Sequence, residues 1–146
     1  MNEFNINYQV SPAVTNDELN RLFANAWEKH QAWDFLPVLS RSLLYVCARH
    51  ETGLIGFVNV AWDGAQHAFI LDTTVDRGFR RRGIGIQLVK HAAEASKKRG
   101  VEWLHVDFEP YLEEFYRKCG FRHTNAGLIN LRDKETFLKS EMIIDE

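Results

Sequence analysis

Three apolar runs, Leu43–Arg49, Leu54–Trp62 and Ala68–Val75, follow one another closely, punctuated by Glu51-Thr52-Gly53 and Asp63-Gly64. Connections that short can only turn a chain back on itself, so the runs pair as an antiparallel meander. The pattern then changes. A basic, glycine-bearing stretch, Asp76–Gly85, leads into a helix over 84–99, on which Ile84, Leu88, Val89, Ala92 and Ala95 share one face. Lys97, Lys98 and Arg99 suit the negative end of its dipole, and Gly100 is placed to end it. The next run, Val101–Phe108, alternates Trp103, His105 and Asp107 with Leu104, Val106 and Phe108. Strand, helix and strand in that order require a parallel pairing with a right-handed crossover. The fold class is therefore α+β: a mixed, mostly antiparallel sheet with flanking helices and one parallel strand junction.

The flanks fit this frame. An opening strand, Phe4 to Val10, alternates through Phe4, Ile6, Tyr8 and Val10. Thr15 then caps a helix, Glu18 completes a capping box, and Leu19, Leu22, Phe23 and Ala26 form the apolar stripe. Pro37 interrupts the stretch after that helix, making His30 to Leu36 a loop before a short second helix up to Ser42. Pro110 starts another short helix carrying Leu112, Phe115, Tyr116 and Cys119, which Gly120-Phe121 closes as a Schellman stop. A last strand is expected near Leu128–Leu131, ahead of a mixed-charge tail, Arg132–Glu146. No repeat or linker divides the 146 residues, so 1–146 reads as one domain. A net charge of −2 argues against a dedicated nucleic-acid binder, although 77–99 is locally basic. No apolar run approaches the ~20 residues of a membrane span, and the opening residues lack a signal-peptide core. The expected location is cytoplasmic. Cys47 and Cys119 sit in apolar contexts and read as reduced, buried thiols. Neither C-x-x-C nor H-E-x-x-H occurs, so no metal site is predicted.

Chemistry concentrates in Arg80-Arg81-Arg82-Gly83-Ile84-Gly85, at the strand-to-helix turn. The first amides of a helix have no intrahelical partners and carry the positive end of its dipole, so an anion fits there. Gly83 and Gly85 would remove the Cβ atoms that hold a phosphate off the backbone, and three arginines add positive charge. The stretch reads as a pyrophosphate site. It has neither the spacing of a P-loop nor that of a dinucleotide fingerprint.

The run from Leu71 to Gly85 resembles motif A of the GNAT superfamily of acyl-CoA-dependent N-acetyltransferases, written Q/R-x-x-G-x-G/A, through Arg80, Gly83 and Gly85. Downstream, Phe115-Tyr116 with Gly120-Phe121 is similar to the family's F-Y-x-x-x-G-F segment. The order of elements resembles the family over most of the chain. The resemblance implies acetyl-CoA as co-substrate, lying where two parallel strands part. Thr73, Thr74 and Val75 would then offer backbone groups to the pantetheine arm, and Arg80, Arg81, Arg82, Gly83, Ile84 and Gly85 would hold the pyrophosphate. Tyr116 falls at the position of the family's tyrosine, which can protonate the leaving thiolate. The implied reaction is direct attack of a primary amine on the thioester.

His105, on the strand after the long helix, stands at the position comparable to a glutamate base in some members. Asp72, beside the expected strand distortion, and Glu109 are further candidates, and a water relay is another route. By the same resemblance the first helix and the loop after it shape the acceptor side, at Trp27 to Phe35. Trp33 could wall an amine pocket and Asp34 could draw a cation, while Trp27 is read as core. The acceptor is a small-molecule amine or a protein amine, and a homodimer is a family-level expectation. The alternative function is a catalytically idle acyl-CoA-binding or regulatory module on the same fold.

Overall fold

The computed structural model of the protein describes residues 5–51 and 53–133. In chain order these form β1 (Asn7–Val10), α1 (Asn16–Ala26), α2 (Leu36–Arg41), β2 (Leu44–His50), β3 (Gly53–Trp62), β4 (His67–Val75), α3 (Ile84–Lys98), β5 (Trp103–His105) and α4 (Glu113–Lys118). Two 3-10 turns, Arg77–Phe79 and Pro110–Leu112, precede α3 and α4. The five strands lie in one sheet in sequence order. β1 through β4 are antiparallel neighbours, and β4–β5 is the one parallel pair among them. No helix among the described residues is long and apolar enough to cross a membrane.

Alternation in the strands divides the core in two. Val46, Ala48, Val58, Val60, Ala68 and Ile70 face α3 and pack on Ile84, Leu88 and Ala92. Cys47 and Phe57 point the other way, to Leu19, Leu22 and Phe23 of α1 and to Phe35. The α3 stripe includes Ser96, which its polarity hid in the sequence and which is 1% exposed. α1 begins as its sequence dictates: Thr15 Oγ1 accepts the Glu18 amide at 3.1 Å, and Glu18 Oε1 accepts the Thr15 amide at 3.1 Å. The stop at α4 also stems from its residues. The Gly120 amide reaches the Arg117 carbonyl at 3.0 Å and the Phe121 amide reaches Tyr116 at 3.1 Å, the paired bonds of a Schellman motif.

Two expectations need correction. The run expected as a strand over Val101–Phe108 pairs only at Trp103–His105. Beyond His105 the burial still alternates, with Val106 and Phe108 half-buried, but β4 has veered away and no ladder is within reach. The strand expected near Leu128–Leu131 is absent; Leu128, Ile129 and Leu131 are 83%, 64% and 71% exposed. A strand needs a neighbouring edge, and apolar periodicity alone cannot say whether one exists. Phe4 and the tail beyond residue 133 lie outside the described residues.

Candidate functional site

The site originates in a defect of the β3–β4 ladder. Phe57 pairs with Thr74, and the next pair is Asn59 with Leu71, so Val58 alone faces both Asp72 and Thr73. That bulge places Asp72 at φ +58, a left-handed conformation that aspartate tolerates better than most residues. The Thr74 hydroxyl donates to the Asp72 carbonyl at 2.9 Å and holds the kink. On the other side of β4, pairing with β5 ends at Phe69–His105. The two parallel strands part just before the bulge, leaving β4 edge groups of Thr73 to Val75 beyond the reach of β5.

Tyr116 stands at this parting. Its ring is 7% exposed, stacked on Phe108 at 4.8 Å and edge-on to Phe115 at 4.9 Å and to Phe121 at 5.8 Å. Burial raises the pKa of its hydroxyl; the neighbouring Thr73 hydroxyl draws it partly back, although the pair falls short of hydrogen-bond geometry. Thr73 Oγ1 is itself buried without a partner. An orphaned hydroxyl beside a buried phenol fits a polar ligand atom entering the cleft.

The basic turn leaves backbone amides open at the start of α3. Arg81 and Gly83 have φ of +64 and +77, and the bond from the Gln87 amide to the Gly83 carbonyl, 3.1 Å, opens the α-helical ladder. Amides of the first turn of α3 are therefore left to an external acceptor. A Cβ on Gly83 would meet nothing within 4 Å, so the space beside the turn is open. Gly85 also has a packing reason, which its motif does not suggest. A Cβ there would stand 3.1 Å from Cε1 and Cζ of Phe115, so this glycine lets α4 pack on α3. The arginines differ as well. Arg80 Nη2 donates to the Ala26 carbonyl at 2.9 Å and Nε to that of Val75 at 3.4 Å, while Arg82 lies over the Phe79 ring at 5.4 Å.

On the α1 face, Phe23, His30, Gln31, Trp33, Phe35 and Asp72 line a cavity of about 210 Å³. Two asparagines one turn apart on α1 hold its loop. Asn20 accepts the Trp33 amide at 2.9 Å, donates to the Trp33 carbonyl at 2.8 Å, and meets His30 Nε2 at 2.8 Å. Asn16 accepts the Phe35 amide at 2.8 Å and donates to Asp34 Oδ1 at 2.9 Å. Asp34 also caps the Leu36 amide at 3.1 Å and does not line the cavity; Asp72 supplies its carboxylate. Partial burial at the rim raises the Asp72 pKa. Trp27, read as core, is 49% exposed, with its indole N–H 3.5 Å from Thr74 Oγ1. Asn16, Asn20 and Gln31 do not stand out in the sequence; their one signal is the i, i+4 asparagine pair on the flank of an amphipathic helix.

His105 closes the parallel pairing and stacks on Phe69 at 4.7 Å. Its Nε2 lies 2.8 Å from His67 Nδ1, so one ring nitrogen donates and the other accepts. Glu109 caps the 3-10 turn before α4 through its backbone, without a side-chain bond. Cys47 and Cys119 are both free; Cys47 is buried as expected, whereas Cys119 is only half-buried, and burial pushes the Cys47 thiol up to about 12. Among the described residues no group of three or more His, Cys, Asp or Glu side chains could hold a metal ion.

A mixed sheet, five-stranded among the described residues, that opens at its parallel β4–β5 junction ahead of an uncapped helix start has the architecture of the GNAT acyltransferases. The chain matches the model of the Acetyltransferase (GNAT) family over residues 13–121 and belongs to that family. It is 34% identical over 58 residues to the probable glucosamine 6-phosphate N-acetyltransferase 2 of Oryza sativa subsp. japonica. That match covers 40% of this chain and only 35% of the rice protein. A proposed acetyltransferase from Deinococcus radiodurans R1 superposes with a TM-score of 0.71 at 27% identity, covering 90% of this chain and 92% of that one. The aminoglycoside N-acetyltransferase AAC(6')-Iy, solved in complex with CoA, shares the fold at TM-score 0.71 and 16% identity, covering 89% of this chain and 96% of that one.

Proposed function

We propose that this chain transfers an acetyl group from acetyl-CoA to a primary amine. The observation that carries the reading is a coincidence at the end of β4: the orphaned Thr73 hydroxyl and the buried Tyr116 phenol lie where β4 and β5 part, and one short turn later the chain enters the uncapped start of α3. The CoA complex of the structurally similar aminoglycoside enzyme supports the same ligand. The α3 amides and Arg81 and Arg82 would hold the diphosphate; Thr73 to Val75 would bind the pantetheine arm as a short strand does. When bound, acetyl-CoA supplies a thioester carbonyl whose carbon takes the amine nitrogen as its bond to sulfur breaks.

The protein's own groups manage the protons. Tyr116, a neutral buried phenol, donates to the departing sulfur. The proton lost from the attacking nitrogen goes to His105, whose ring is fixed by His67 and Phe69, or to water. Arg80, committed to two main-chain carbonyls, supports the turn and leaves the anion to its neighbours.

Calorimetry with CoA and thiol release from acetyl-CoA across an amine panel test this together. Tyr116→Phe is expected to lower turnover at least tenfold while acetyl-CoA affinity changes less than twofold. Binding without thiol release for any amine would make the chain an idle acyl-CoA-binding module instead.

A further inference from the structure

Resting on the acetyl-transfer reading, we infer that the acceptor is a cationic primary amine carried on a small aromatic or apolar body, without a phosphate. The inference comes from the cavity between the α1–α2 loop and the β4 bulge. Four of its six lining residues carry rings, Phe23, His30, Trp33 and Phe35, and Asp72 is the acidic one. Aromatic faces and one anion attract an ammonium and its hydrocarbon, while a phosphate would meet the Asp72 charge with no lysine or arginine in the lining to offset it.

Size points the same way. About 210 Å³ lies below the ~300–1,000 Å³ typical of sites for drug-sized ligands, so the part of the acceptor that enters it is small. The loop is also set before any ligand arrives. The reciprocal Asn20–Trp33 main-chain bonds and the Asn16–Phe35 bond fix the backbone on both sides of the cavity, and Phe35 stacks edge-on against Trp33 at 5.2 Å. A preformed wall loses little entropy on binding, which favours a rigid, flat ligand over a flexible polar one.

Position links the cavity to the reaction. Asp72 lines it and the next residue, Thr73, carries the orphaned hydroxyl beside Tyr116. An ammonium held by Asp72 is one residue along the strand from the cleft proposed for the thioester. The rice relative acts, by its name, on glucosamine 6-phosphate. The present cavity therefore assigns this chain a different acceptor from that relative's.

The test is steady-state thiol release from acetyl-CoA with phenethylamine, glucosamine 6-phosphate and spermidine as acceptors. Phenethylamine is expected to have a kcat/KM at least tenfold above both others. Asp72→Asn should raise its KM at least tenfold with kcat reduced less than threefold, and Trp33→Ala, at an exposed position, should raise KM about fivefold. Acetyl-CoA affinity by calorimetry should stay unchanged in both variants. A preference for glucosamine 6-phosphate, or a KM indifferent to Asp72→Asn, overturns the acceptor class while leaving acetyl transfer intact. Absence of heat with acetyl-CoA and of thiol release with every amine overturns the acetyl-transfer reading, and this inference with it.

Discussion

The guanidinium of Arg80 donates to the carbonyl of Ala26, the last residue of α1, at 2.9 Å. One side chain thus ties the basic turn to the helix whose asparagines hold the Trp33–Phe35 loop, and Asn25 adds a second tie to Asp76 at 3.3 Å. Bonds from a charged donor to main-chain carbonyls depend on the planar fork of arginine, which lysine lacks. Arg80→Lys keeps the charge and loses the geometry. It should cost about 1 kcal/mol, seen as a fall of about 2–4 °C in the melting temperature of the ligand-free protein. An unchanged melting temperature with a loss of CoA affinity would make Arg80 a direct contact of the anion.

The two glycines of the turn should fail in different ways when replaced by alanine. At Gly83 the new methyl meets open space but φ is +77, so the expected cost is about 1 kcal/mol of stability. At Gly85 the methyl presses on Phe115, whose ring packs edge-on to Tyr116 at 4.9 Å. Gly85→Ala should therefore reduce kcat severalfold more than it reduces CoA affinity. Phe115→Leu in the same chain should restore part of the loss by vacating the space. Equal effects of Gly85→Ala on kcat and CoA affinity would favour a phosphate-approach role.

Two carboxylates should shift acid stability in opposite directions. Arg49 and the Thr15 cap hold the Glu18 carboxyl below its usual range. Its stabilisation is present above the unfolded-state value and is lost as pH falls through the lower native value, so Glu18→Gln should destabilise at pH 7 by about 1 kcal/mol and have little effect well below that native value. Asp72 is raised by partial burial, so its ionisation weakens the native state once pH exceeds the ordinary carboxylate value. Asp72→Asn should raise the melting temperature at pH 7 and leave it unchanged near pH 3. Asparagine tolerates the same left-handed backbone, which keeps the comparison clean. Melting curves of both variants across pH 3–7 decide the signs.

Legibility in the sequence tracked the range of the interactions. The Thr15–Glu18 box, the Gly120-Phe121 stop and the start of α3 at Ile84 depend on residues within one turn, and all three stand where the sequence puts them. The strand, turn and helix around motif A were equally legible, but not the packing partners of their residues. Gly85 serves Phe115, thirty positions away, and Arg80 serves Ala26, on another helix; neither partner can be read from spacing. Burial misled where polarity hid Ser96 and where aromatic character suggested a core Trp27.

Periodicity, caps and turn residues determined which segments of this chain become strands and helices, because those choices are settled by backbone and nearest-neighbour energetics. Tertiary structure decided how far each strand could pair. It ended β5 after three residues, left 128–131 without an edge, and bulged β4 at Asp72. It also decided that Asp72, rather than Asp34, closes a cavity with Trp33, because that contact joins residues thirty-nine positions apart across two elements. Local free energies specify the parts; only packing at a distance specifies which side chains meet.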